Sequence, residues 1–82
     1  VDFLHATVLR NGPYRLFFYS SDRDEPPHVH VERGSGRAKF RLDPVRVCES
    51  GGFGATELNR LRALIVGREA VLLEAWHEFF GD

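Results

Sequence analysis

The hydrophobic pattern of this chain changes period once, near Gly51, and that single change limits the architecture more than any motif does. Upstream of it, apolar residues recur at alternate positions, the spacing of strands whose side chains point to two opposite faces. Downstream they recur at intervals of three and four, the spacing of a helix with one buried stripe. Strands first and helix last, in 82 residues, leave room for one core. The reading is a single domain over residues 1–82, with a sheet region over 3–48 and a helical region over 54–80. Layer packing then predicts an α+β fold: a small antiparallel sheet of four to five strands with one or two C-terminal helices packed on one face.

Segment by segment, Phe3 to Leu9 alternates Leu4, Ala6 and Val8 against Phe3, His5, Thr7 and Leu9, and Asn11-Gly12-Pro13 predicts a turn after it. Tyr14 to Ser20 is apolar on both faces, with Leu16 and Phe18 opposite Phe17 and Tyr19, which predicts the central strand. Ser20 to Pro27 is a polar loop whose prolines favour extended backbone. It leads into a strand from His28 to Arg33, where Val29 and Val31 face the core and His28, His30 and Glu32 face away. Gly34-Ser35-Gly36 turns the chain into Arg37 to Leu42, with Ala38, Phe40 and Leu42 inward and Arg37, Lys39 and Arg41 outward. Beyond Asp43-Pro44, Val45 to Cys48 reads as a short edge strand with Val45 and Val47 inward. Gly54 is the predicted helix N-cap, with Phe53 and Leu58 as a hydrophobic staple. Leu58, Leu61, Leu64 and Ile65 form the first buried stripe, and Leu72, Ala75, Trp76 and Phe79 continue it past Gly67 to a stop at Gly81. Gly67 either separates two helices or weakens a single long one.

The sharpest functional feature is the pair His28 and His30. Same-face neighbours on a strand lie about 7 Å apart, within reach of one divalent transition metal if a third donor joins them. Glu25, Asp22, His5 and His77 are the candidates. The plainer alternative is two histidines on the solvated face of a strand. With Lys39 or Arg41 nearby, the same imidazoles also suit acid–base hydrolysis of RNA. More broadly, Arg15, Phe17, Tyr19, His28, His30, Lys39 and Arg41 share one face of the predicted sheet. Such a face can stack bases or dock a protein, and a homodimer through it is the simplest closed arrangement. A formal net charge of −1 supplies no general pull toward nucleic acid or an anionic membrane, which favours a protein partner over nucleic acid. The single cysteine, Cys48, has no disulfide partner in the chain and suits a reducing cytoplasm. No apolar run is long enough to cross a bilayer.

Taken together, Tyr14-Arg15-Leu16-Phe17-Phe18-Tyr19-Ser20, Glu25-Pro26-Pro27-His28-Val29-His30-Val31, Ala38-Lys39-Phe40 with Leu42-Asp43-Pro44, and Leu73-Glu74-Ala75-Trp76-His77-Glu78-Phe79-Phe80-Gly81 resemble a bacterial family known as domain of unknown function 4160. The positions of interest that the resemblance marks are Glu25, His28, His30, Lys39, Trp76 and His77, with no established catalytic residues to carry over. It implies a small protein, often encoded beside another small protein, of a kind suggested to form toxin–antitoxin-like pairs. The expectation is therefore a cytoplasmic macromolecule-binding component of such a module, with a small protein encoded nearby as its partner. The alternative is a metal-dependent or histidine-based hydrolase or nuclease acting on RNA, centred on His28 and His30.

Overall fold

Alternation and turn chemistry build the sheet as a simple meander. A computed structural model describes residues 5–81, for His5 the backbone alone. Its strands are β1 (His5–Asn11), β2 (Tyr14–Tyr19), β3 (His28–Arg33), β4 (Gly36–Leu42) and β5 (Val45–Gly51), all antiparallel and lying in chain order across the sheet. The start of the first strand, expected at Phe3, lies outside the described residues. Gly12 and Gly34 adopt φ of 56° and 58° in the tight turns after β1 and β3, a left-handed conformation that glycine reaches without a Cβ clash.

The sheet corrects three expectations. The central strand is β3, not β2: apolar residues on both faces report burial on both faces, which an interior strand next to the centre has as well. β5 runs to Gly51 and not only to Cys48, because Arg37, Ala38 and Lys39 find cross-strand partners in Gly51, Ser50 and Glu49. Strict alternation also fails at two register shifts, one between Thr7 and Leu9 and one opposite Lys39 and Phe40. A bulge places two consecutive residues against one, so Val8 and Leu9 both pack on the core. On β5, Val45 packs on the core while Val47 is exposed, since the last strand of the sheet has no neighbour on its outer side.

The helical layer consists of α1 (Ala55–Gly67) and α2 (Glu69–Phe80), so Gly67 does separate two helices. Gly54 caps α1 in extended conformation, and Gly81 closes α2 with φ 77° and an N–H donated to the His77 carbonyl. Leu61, Ile65, Leu72, Trp76 and Phe80 pack onto Leu16, Phe18, Val29, Val31, Ala38, Phe40 and Leu42. Phe80, 5% exposed, takes the buried place expected for Phe79, which is 37% exposed. Leu72, Trp76 and Phe80 keep the four-residue spacing of one helix face, and Phe79 falls on its flank. A polar tie anchors the start of α1: Arg33 donates to both carboxylate oxygens of Glu57 at 2.8 Å, and the Tyr14 hydroxyl donates to the same carboxylate.

Trp76 is the hinge of this core, with its ring 5.3 Å from Phe18 and 4.3 Å from Phe80. Trp76→Ala should cost about 3–5 kcal/mol of unfolding free energy, the range for truncating a buried aromatic. Chemical denaturation reads this directly, and an unchanged midpoint would place the indole outside the core.

Candidate metal centre

The site forms where two neighbouring strands stop pairing. β2 and β3 are in register from Arg15↔Glu32 to Phe17↔His30 and no further. The residues between them form a 3-10 turn over Ser20–Asp24. Asp22 turns back toward the end of β2, where Oδ2 accepts the Tyr19 N–H at 2.9 Å, a short-range side-chain-to-backbone bond of the kind aspartate makes in turns. Its carbonyl accepts the Glu25 N–H, and the Pro27 carbonyl accepts the Leu42 N–H, so the loop is tied at both ends. Asp22 is 5% exposed. A carboxylate that deep must be partnered.

Its partners are the two histidines. Nε2 of His30 donates to Asp22 Oδ2 at 3.0 Å, and Nε2 of His28 lies 3.2 Å from Asp22 Oδ1. One donor atom from each of Asp22, His28 and His30 lies within 4.8 Å of the other two. Nδ1 of His28 sits 2.9 Å from the Pro26 carbonyl. A carbonyl only accepts, so Nδ1 carries the proton, and in the neutral ring Nε2 is left with its lone pair. The ring is 2% exposed, and Nε2 has no hydrogen-bond partner among the described residues, because Asp22 Oδ1 is close but poorly aligned. Burial holds the His30 imidazole below its ordinary pKa, against the pull of the Asp22 carboxylate. The turn and the strand thus gather two imidazoles around one carboxylate, and these three residues could hold a metal ion.

The structure qualifies the expectation that both imidazoles project from the open side of the sheet. His30 does, stacked on Phe17 at 5.4 Å and edge-on to Tyr19 at 4.8 Å. His28 does not lie open: its ring packs against Trp76 of α2 at 5.2 Å. It is the first residue of β3, beyond the last β2–β3 pair, where the strands no longer screen the indole from it. Phe17 is 2% exposed under the Arg15 guanidinium, 4.0 Å from its ring centroid, so it is a wall of the site and not a docking surface. Tyr19 is half-buried beside it.

Of the four candidate third donors, Asp22 is the one brought to the imidazoles. Glu25 stands on the rim, 3.9 Å from His28 Nδ1 and bonded to Lys39 Nζ at 2.6 Å. That bond holds the Glu25 carboxyl below its ordinary pKa and the Lys39 ammonium above. His77 is exposed on the last turn of α2, and the His5 side chain lies outside the described residues. Lys39 and Arg41 are the cross-strand partners of His30 and His28. Two concavities flank the cluster, one of about 240 Å³ touching His30 and one of about 160 Å³ touching His28, and Lys39 lines both. The contact with Trp76 was missed from sequence, since alternation assigns the indole and the histidines to opposite faces.

A protein-family model described as "Domain of unknown function (DUF4160)" matches residues 14–77, from the first residue of β2 into the last turns of α2. Neither a curated protein nor a solved structure matches the chain.

Removing the carboxylate should loosen the loop. Asp22→Ala deletes the partner of the Tyr19 N–H and of the His30 ring, at about 1–3 kcal/mol for a buried polar group left unsatisfied. Urea unfolding checks this, and stability equal to that of the parent would show that the turn is held by other contacts.

Proposed function

We propose, for a chain that belongs to the DUF4160 family, that Asp22, His28 and His30 hold a divalent transition metal and that the centre is hydrolytic. The observation that supports this most is the buried, unbonded Nε2 of His28 facing the Asp22 carboxylate. Where Nε2 carries no proton, its lone pair 3.2 Å from an anion is repulsive unless a cation lies between them. Two donors about 2.0–2.2 Å from one ion at octahedral or tetrahedral angles are about 2.8–3.6 Å apart. The distances from the two carboxylate oxygens to the rings fall in that interval, at 3.2 Å from Oδ1 to His28 and 3.0 Å from Oδ2 to His30. The Nδ1 bond from His28 to a backbone carbonyl is the outer partner that metal-ligating histidines generally have.

Two imidazoles and one carboxylate are the donor set of zinc hydrolases with an open position, and of related iron and manganese sites. A metal held by these three residues would supply Lewis acidity and an activated water near neutral pH. The protein groups supply the rest. Asp22 balances charge, Pro26 fixes the His28 tautomer, and Lys39 and Arg41 offer cations to an anionic ester such as RNA. Water adds across the ester bond, one product taking hydroxyl and the other the proton.

A second reading, a toxin–antitoxin-like module bound to a small protein encoded nearby, draws support from the exposed Val66 and Val71 of the helical layer. Co-purification with the product of the adjacent gene, lost in Val71→Glu, would support it, and no retained partner would count against it.

For the metal centre, untagged protein should carry close to one equivalent of a transition metal by elemental analysis, falling severalfold in His28→Ala and Asp22→Ala. Because Trp76 is the sole tryptophan and touches His28, adding metal to stripped protein should also shift its fluorescence. Stoichiometry indifferent to both substitutions, with no fluorescence response, would end the proposal.

A further inference from the structure

The carboxylates that pair with cations of the sheet are not held alike. Glu32 accepts from Arg15 and Arg37, and Glu57 from Arg33 and Tyr14. Each is therefore gripped by two residues. Glu25 has Lys39 alone as its hydrogen-bond donor among the described residues, and its side chain is 48% exposed. It sits in the loop, not in a strand. An exposed single ion pair of that kind is worth about 0–1 kcal/mol.

Two residues along the same face of β4, Arg41 has no carboxylate partner among the described residues and lies opposite Arg46 of β5. Like charges directly opposite on a sheet repel. The 160 Å³ concavity beside His28 is walled by Glu25, Lys39 and Arg41, with room for several waters and hence for a tetrahedral oxyanion. A lysine already holding an anion, an arginine lacking one, and a hollow between them describe a seat in which the protein's own carboxylate is the placeholder.

We propose that this hollow binds the phosphoryl group of the substrate, which displaces the Glu25 carboxylate from Lys39 and is held by Lys39 and Arg41. The seat deepens the hydrolytic reading, since it sets a phosphate ester next to the ligand His28, and it rests on that reading for its chemistry. Its anion binding is separable and is measured on metal-stripped protein.

The test is calorimetric titration with inorganic phosphate, with parallel titrations of a nucleoside monophosphate and a ribodinucleotide to distinguish monoester from diester sources. Glu25→Gln removes the internal competitor and should tighten phosphate binding up to about fivefold, the equivalent of a surface pair. Lys39→Ala should weaken it about 10- to 100-fold, the range for a hydrogen bond to a charged group, and Lys39→Arg should restore most of it. Arg41→Ala should weaken it as well. Unaltered affinity in Lys39→Ala, or weaker binding in Glu25→Gln, would overturn the seat. Metal content is read on the same variants. Phosphate binding lost with metal retained in the parent protein defeats the seat alone, whereas phosphate binding retained with no metal defeats the metal centre alone.

Discussion

A buried carboxylate in the mouth between two diverging strands is the constraint on which the rest of the site depends. Withdrawing an ionised group from water costs several kcal/mol unless charge or hydrogen bonds replace its hydration. Asp22 meets that demand with the Tyr19 amide and the His30 imidazole, and His28 faces it at 3.2 Å without a hydrogen bond. The amide ends β2, the rings begin β3, and the loop between them has no freedom to wander. The prolines that follow remove two backbone donors and leave the Pro26 carbonyl to set the His28 tautomer.

The core and the site share a wall. Trp76 packs edge-on to Phe18 on the helix side and tilts against His28 on the other. The orientation of His28 is therefore set by the same packing that stabilises the fold, and a ligand placed on a rigid strand against a packed indole is held more firmly than one on a loop. Asp22 is the loop member of the three. Its turn is closed by the bond from the Glu25 N–H to the Asp22 carbonyl.

The fold was legible because its signals are periodic. Two hairpin turns, the inward faces of β3 and β4 and the Gly54 cap follow from local chemistry that neighbours in sequence determine, whereas Gly67 was compatible with one helix or with two. What failed were features that depend on an added residue or on a neighbour from another layer. Bulges at Val8 and Cys48 shift the phase of alternation, and nothing in a two-residue period announces them. Phe79 and Phe80 are adjacent aromatics, and only the packing of α2 on the sheet decides which is buried. At the site, His28 and His30 stood out by spacing, while Asp22 was one of four acceptable donors. Its selection comes from the tightness of the loop, an acid three positions after a strand whose next partner begins only six residues further on.

Net charge and the charges available on the open face are different quantities. A sum of −1 describes how many charges a chain carries, whereas recognition depends on which of them remain available. On β2, β3 and β4 the cations Arg15 and Arg37 are committed to Glu32, and Arg33 is committed to Glu57. These pairs cancel in the sum and also in the local field, because each cation lies within 3 Å of its carboxylate. Arg41 is cancelled only in the sum. It borders the hollow beside His28, and a low-dielectric wall formed by the half-buried strand strengthens its field there relative to open water. A nearly neutral protein can thus present a cationic pocket wherever its acids are occupied elsewhere.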